Sequence, residues 1–303
     1  MSAISTIDTN WVGHPHSIAA ALLESGGHHS LIDPGPGSTL ETVRERLRTR
    51  GLSVADLDAI LLTHIHLDHA GATGSLVREN PRIAVYVHSR GSQHMSDPAK
   101  LLASAGRLWG SDLTRLFGET LPVPAENLHI LEGGETIQFG QRKLEVVYTP
   151  GHASHHLSYF DDQTGTAFIG DTGGIRIEDG PYILPATPPP DIDLALWDAS
   201  FKAILDRRPS RLFLTHYGYA ENPETHLAEF RERLYRWAAL ARESLAASAD
   251  ENLALRAFTE YAKGEMEKVL GSQEAEHHAF TAELRLSFLG LARYLRKHAQ
   301  KQP

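Results

Sequence analysis

Four runs of strand-type apolar residues each lead directly into side chains able to bind a metal ion. Ile60-Leu61-Leu62-Thr63 runs into His64-Ile65-His66-Leu67-Asp68-His69, and Val146-Val147-Tyr148-Thr149 passes through Pro150-Gly151 into His152. Ala167-Phe168-Ile169-Gly170 ends at Asp171, and Leu212-Phe213-Leu214-Thr215 ends at His216. Strand ends in a layered α/β fold converge on one edge, where such folds bind their ligands. Five imidazoles and two carboxylates meeting there exceed the donors that one tetrahedral zinc accepts, and suit two ions sharing a bridging water. In an extended segment His64 and His66 point the same way and can grip one ion. Asp68 and His69 then open a helix predicted through Leu76, whose positive end favours an ionised Asp68, while Gly71 and Gly74 permit close backbone packing beside the site.

The composition suits this chemistry. Eighteen histidines and no cysteine among 303 residues leave imidazole and carboxylate as the metal donors and exclude disulfides and thiolate sites. A net charge of −9 argues against the positive surface that non-specific nucleic-acid binding requires. The basic stretch at residues 293–301 reads as a solvated final helical turn. Residues 1–10 lack the positive leader and apolar core of a signal peptide, and no apolar run approaches the roughly 20 residues that cross a bilayer. A cytoplasmic protein acting on a small molecule is therefore expected, with no nucleic-acid or membrane partner, and with a homodimer contact through its last helices left open.

The elements that must position these side chains are legible in outline. Residues 17–25, the pair Gly26-Gly27 and residues 28–33 predict two antiparallel strands about a tight turn. Residues 39–49 predict an amphipathic helix, 59–62 a short buried strand and 82–87 another strand. Between residues 91 and 127, Met95, Leu101, Leu102, Leu108, Trp109, Leu113, Leu116 and Phe117 recur at near-helical spacing, which predicts one or two inserted helices serving as core packing or as a lid. Strand signals stop at Asn222-Pro223, a helix start, and residues 226–246, 253–270 and 280–297 predict long helices. Two domains follow: residues 1–220, carrying the metal-binding side chains, and residues 221–303, all helical.

Tyr182, Ile183 and Leu184, with Tyr217 and Trp109, either line an acyl or aromatic pocket or pack in a core. His14, His16, His28, His29, His155, His156, His277 and His278 read as surface or supporting residues rather than further ligands. Gly35-x-Gly37 has neither a third glycine in register nor a following lysine, so no dinucleotide or phosphate-binding loop is supported.

The ordered set His64-x-His66-x-Asp68-His69, His152, Asp171 and His216 resembles the signature of the metallo-β-lactamase superfamily, and Leu31-Ile32-Asp33-Pro34-Gly35 resembles its first motif. The resemblance covers about residues 17–218. It implies an α/β fold, an αββα four-layer sandwich of two mixed β-sheets, here followed by an all-α C-terminal domain. It implies that His64, His66 and His152 hold one divalent ion, that Asp68, His69 and His216 hold a second, that Asp171 bridges them, and that Asp33 has a structural role. Zinc is the first choice of metal, with iron and manganese open. The implied reaction is hydrolysis, in which a hydroxide bridging the ions attacks an ester, thioester or lactone carbonyl, or secondarily a phosphodiester. Asp68 would be the catalytic residue that orients the nucleophile and shuttles its proton. Glyoxalase II enzymes carry Gly-His-Glu-Tyr where this chain has Thr215-His216-Tyr217-Gly218, and homoserine-lactone hydrolases carry tyrosine where it has Gly174. Two alternatives share the scaffold: a mononuclear iron dioxygenase acting on persulfides, and a non-catalytic metal-stabilised binding or regulatory protein.

Overall fold

The computed structural model describes residues 2–176 and 180–299. Its first sheet contains β1 (Ser2–Asp8), β2 (Ala19–Ser25), β3 (His28–Ile32), β4 (Ala59–Leu61), β5 (Ala84–His88) and β6 (Leu128–Leu131) in that spatial order. Pairing is antiparallel from β1 to β3 and parallel from β3 to β6. The second sheet runs from β7 (Thr136–Phe139) through β8 (Arg142–Tyr148), β9 (Leu157–Asp161), β10 (Thr166–Phe168) and β11 (Arg211–Leu214) to β12 (Gly218–Ala220). Only β10 and β11 are parallel there, so both sheets are mixed.

Strand periodicity explains the layering. Along β2, Ala19, Ala21 and Leu23 join Leu144, Val146, Leu157, Tyr159, Phe168 and Phe213 in a core between the sheets. The intervening Ala20 and Leu22 face the other way, into a second core with Val43 and Leu47 of α1 (Leu40–Arg48) and with Leu76 and Val77. A strand that buries both faces needs apolar residues at every position, which is what the run Ala19-Ala20-Ala21-Leu22-Leu23 provides. The outer face of the second sheet, through Ala167, Ile169, Leu212 and Leu214, packs on the helices of residues 194–205 and 223–299. Four layers result, as the αββα expectation requires.

Several local expectations are corrected. The edge strand β1 is absent from the sequence-based outline, and its pairing with β2, from Ser2↔Ser25 to Asp8↔Ala19, brings it into the sheet. The helix expected from Asp68 through Leu76 is broken into α2 (Leu67–Ala70) and α3 (Thr73–Glu79). The cause is tertiary: Gly35 N–H donates to the carbonyl of His69 at 3.0 Å, and Ala72 N–H is diverted to the carbonyl of Gly35 at 2.9 Å. Gly74 admits the backbone of Leu121, whose carbonyl carbon would lie 2.6 Å from an added Cβ. Residues 91–127 contribute three helices, α4 (Ser89–Ser96), α5 (Ala99–Trp109) and α6 (Leu113–Phe117), rather than one or two.

After α7 (Leu194–Leu205) and the last two strands come α8 (Pro223–Ala247), α9 (Glu251–Leu270), α10 (Ser272–Ala282) and α11 (Leu284–Ala299). The helix expected over residues 280–297 is interrupted at Glu283, which is left-handed with φ +47°. The basic residues 293–299 end α11, and the remainder of that stretch lies outside the described residues. The predicted boundary at 220/221 falls between β12 and α8. Across it, one apolar cluster joins Ile169, Leu212 and Trp197 to Phe230, Trp237, Phe258 and Phe288. Among the described residues, no helix is long and apolar enough to cross a membrane.

Candidate metal centre

All seven side chains expected to bind metal meet at one edge of the sandwich. His64 and His66 leave β4, Asp68 and His69 lie on α2, and His152 follows β8. Asp171 sits in a short turn after β10, and His216 follows β11. Every one is buried except His66 and Asp68, which are half-buried. Gly170 makes the Asp171 turn possible: it adopts φ +44°, and a Cβ there would lie 2.6 Å from Thr63 Oγ1 and 2.8 Å from His156 Nε2.

The donors form two trios. His66 Nδ1 lies 3.1 Å from His64 Nε2 and 2.9 Å from His152 Nε2. Asp68 Oδ2 lies 3.3 Å from His216 Nε2 and 3.8 Å from His69 Nε2. Asp171 stands between the trios. Its Oδ2 is 3.5 Å from His152 Nε2, while its Oδ1 is 3.2 Å from His69 Nε2 and 3.8 Å from His216 Nε2.

The outer nitrogens fix which way the lone pairs point. A carbonyl can only accept, so His152 Nδ1 donates to Ala186 O at 2.8 Å and His216 Nδ1 donates to Ser17 O at 2.6 Å. His69 Nδ1 donates to Asp33 Oδ2 at 3.0 Å. Thr63 Oγ1 gives its own proton to Asp33 Oδ2 and so accepts from His64 Nδ1 at 3.1 Å. Each of these four rings therefore turns its Nε2 toward the centre, the arrangement by which supporting hydrogen bonds set a metal ligand's tautomer, whereas His66 presents Nδ1.

Two atoms test whether these residues fit a metal. His69 Nε2 and Asp171 Oδ1 are buried and have no hydrogen-bond partner, an unfavourable state for polar atoms unless a cation joins them. Three imidazole nitrogens converging in the other trio make the same demand. The donor set fits two divalent ions of the kind that accept imidazole and carboxylate, such as zinc, iron or manganese.

Electrostatics divides the trios. Burial, with the neighbouring imidazoles His69 and His66, pushes His64 well below the ordinary histidine value. Burial and His152 bring His66 to about 4, and burial lowers His152 despite Asp171. These rings are neutral and ready to donate. Burial opposes charge on His69 and His216 also, but Asp171 and Asp68 overcome it and raise both. Burial would likewise raise Asp171, yet His69, His152 and His216 hold it well below the usual carboxylate range. Ions entering the second trio must displace the protons that Asp171 and Asp68 favour on His69 and His216.

A cavity of about 390 Å³ opens over the centre. Trp11, Leu101, Leu108, Trp109, Phe117 and Leu286 give it an apolar wall, and Arg90, His94 and Lys100 a basic one. Helices α4 to α6 thus form a wall of the cavity. Thr281, Ala282 and Glu283, where α10 meets α11, also line it, as does Asp191. Trp109 lines the cavity as one of the two sequence readings had it, whereas Tyr182, Ile183 and Leu184 pack in the cluster behind the second sheet. Tyr217 packs on His16, with ring centres 5.1 Å apart.

Of the other histidines, His156 is fully buried behind His64, with its Nδ1 3.0 Å from Thr149 Oγ1, and His155 lines the cavity. His278 is also buried and bonded to Glu274 O at 2.9 Å, so neither it nor His156 is a surface residue. Supporting residues that the sequence reading missed are Thr63, Thr215, Ser17 and Ala186. A signal existed for the first two, since Thr63-His64 and Thr215-His216 repeat the same pair at two strand ends and both threonines bond to Asp33. Ser17 and Ala186 act through backbone carbonyls, which no side-chain pattern reveals.

The family model described as the metallo-beta-lactamase superfamily matches residues 14–216. A metallo-beta-lactamase fold-containing protein of Sulfurisphaera tokodaii, ST1585, is 31% identical over 166 residues, 54% of this chain and 61% of that protein. Its crystal structure superposes with a TM-score of 0.67 at 22% identity, covering 96% of this chain and 98% of that one, a likeness of fold. A hydroxyacylglutathione hydrolase of Synechococcus is 32% identical over 143 residues, 47% of this chain. Only 43% of that hydrolase's own length is matched. The crystal structure of TTHA1623 in a di-iron-bound form gives a TM-score of 0.53 at 28% identity, over 70% of this chain and 93% of that one.

Proposed function

This chain belongs to the metallo-beta-lactamase superfamily, and from that premise we propose that it is a two-metal hydrolase of an acyl substrate: an ester, thioester or lactone. The observation that carries the reading is Asp171, whose two oxygens face opposite trios at the floor of a cavity with an apolar wall. His64, His66 and His152 would hold one ion, Asp68, His69 and His216 the other, and Asp171 both. When bound, such a pair supplies Lewis acidity toward a carbonyl oxygen and makes water acidic enough to ionise near neutral pH.

The chain's own residues do the rest. Asp68 is the more open of the centre's two carboxylates, its side chain 25% exposed against 5% for Asp171, so it is placed to take a proton from attacking water and return it to the leaving group. Trp109, Phe117, Leu101 and Leu108 exclude water from the acyl portion. Arg90 and Lys100 form no ion pair among the described residues, leaving their charges to an anionic part of the substrate. A relative named as a hydrolase of hydroxyacylglutathione supports an acyl substrate.

The test is a metal count joined to a substrate panel. Protein loaded with zinc, manganese or iron is assayed against esters, thioesters, lactones and a phosphodiester, with oxygen uptake followed in parallel. Two ions per chain and turnover of a carbonyl substrate are expected. One iron per chain with oxygen consumption, or turnover of the phosphodiester alone, would overturn the reading.

A further inference from the structure

We infer that α10 and α11 are positioning elements of the metal centre, each orienting one imidazole of a different trio. The inference rests on the ligand assignment proposed above.

The first connection runs to His216. Its Nδ1 donates to the carbonyl of Ser17, a residue with no exposed surface. Ser17 Oγ in turn lies 2.8 Å from His277 Nε2 on α10, and Thr281 Oγ1, one turn further along, approaches it at 3.5 Å. The His277 ring packs against His14, with centres 5.3 Å apart, which limits how far it can swing. The carbonyl that aims His216 is therefore held from the side by α10.

The second connection runs to His152, through Ala186 O. The next residue, Thr187, donates its Oγ1 to Ser287 O on α11 at 3.1 Å. Close packing fixes the same loop: a Cβ added at Gly290 of α11 would sit 2.8 Å from the carbonyl carbon of Pro188 and 3.0 Å from the nitrogen of Pro189. Each of these carbonyls belongs to, or adjoins, a residue hydrogen-bonded to α10 or α11. His64 and His69, by contrast, are tied to Thr63 and Asp33 within the sandwich. A ring whose outer hydrogen bond loosens can rotate away from the ion, and losing such a partner typically lowers metal affinity about 10–100-fold. The two helices thus help to retain metal as well as to shape the cavity.

The experiment titrates full-length protein with cobalt(II) under chelator competition, reading stoichiometry, dissociation constants and the visible absorption of each site. Thermal melts of the metal-free proteins are recorded alongside. His277→Ala should weaken one ion about 10–100-fold, and His277→Gln, which retains a hydrogen-bonding group, should recover most of that loss. Thr187→Val and Gly290→Ala should weaken the other ion, with a different change in the spectrum. In each case the unaffected ion keeps its wild-type affinity. Variants that bind both ions like wild type would overturn the inference. So would equal weakening of both ions accompanied by a lower metal-free melting temperature, which marks a purely structural role. Wild-type protein binding fewer than two ions would refute the ligand assignment and the inference together, a failure visible before any variant is made.

Discussion

His69 Nδ1 and Asp33 Oδ2 are joined by a 3.0 Å hydrogen bond in which neither side chain is exposed to solvent. Asp33 also accepts from Thr63 N, Thr63 Oγ1 and Thr215 Oγ1, so one carboxylate ties the ends of β4 and β11 to an imidazole of the candidate centre.

Asparagine cannot reproduce this pattern, because its amide nitrogen would face a donor wherever it is placed. Asp33→Asn should cost about 1–3 kcal/mol of stability for the unsatisfied group and weaken metal binding on the His69 side. Urea denaturation of metal-free protein and a metal titration read the two effects separately. A variant unchanged in both would show that Asp33 is not the organiser described.

Removing a donor should remove metal and turnover together. His66→Ala strips a nitrogen from one trio, and Asp171→Ala strips the oxygen facing each, so the second change should cost more bound metal than the first. Elemental analysis beside activity tests this. Full turnover in a variant that holds no metal would refute a metal-dependent mechanism.

The cavity walls make a kinetic distinction. Trp109 lines the cavity and packs edge-on to Phe117, with ring centres 5.2 Å apart. Losing its apolar contact in Trp109→Ala should raise KM about tenfold with a smaller effect on kcat. Lys100→Glu should raise KM for anionic acyl substrates more than for neutral ones. Tyr182→Phe, in the core behind the sheet, should leave KM unchanged. A KM shift for Tyr182→Phe equal to that for Trp109→Ala would contradict this assignment of the walls.

His226 gives a pH dependence with a definite sign. Its Nε2 donates to Gly173 O at 2.8 Å, and burial lowers its pKa from the ordinary 6.5 to about 4. Between these values the unfolded chain binds a proton that the folded chain refuses, so stability is complete above pH 6.5 and falls as pH drops toward 4. From pH 7.5 to pH 5 this residue should account for about 2 kcal/mol of lost stability. His226→Gln keeps a donor and cannot titrate, so the metal-free variant should lose that much less over the interval than metal-free wild type. Parallel urea curves for the two proteins would exclude the effect.

What was legible in the sequence followed from strand periodicity joined to residue chemistry. The seven clustered residues stood out because each ends or follows an apolar run, and the four-layer sandwich that the family resemblance implied is the one formed. What was not legible depends on partners distant in sequence. Strand β1 is recognisable only once β2 lies beside it, and the break between α2 and α3 comes from hydrogen bonds to Gly35. The apolar residues Tyr182 and Trp109 look alike in the chain, yet one fills a core and the other lines the cavity. His277 lies more than two hundred residues after Ser17, and only the folded chain puts the two in contact.

The apolar cluster that crosses residue 220 has a consequence for how freely the helical segment can be exchanged. Trp197, Leu212 and Leu214 share one buried apolar cluster with Phe230, Trp237 and Phe288. Grafting unrelated helices after β12 would leave that face wet, so the last four helices are not a portable module but the completing half of a wall that the strands begin.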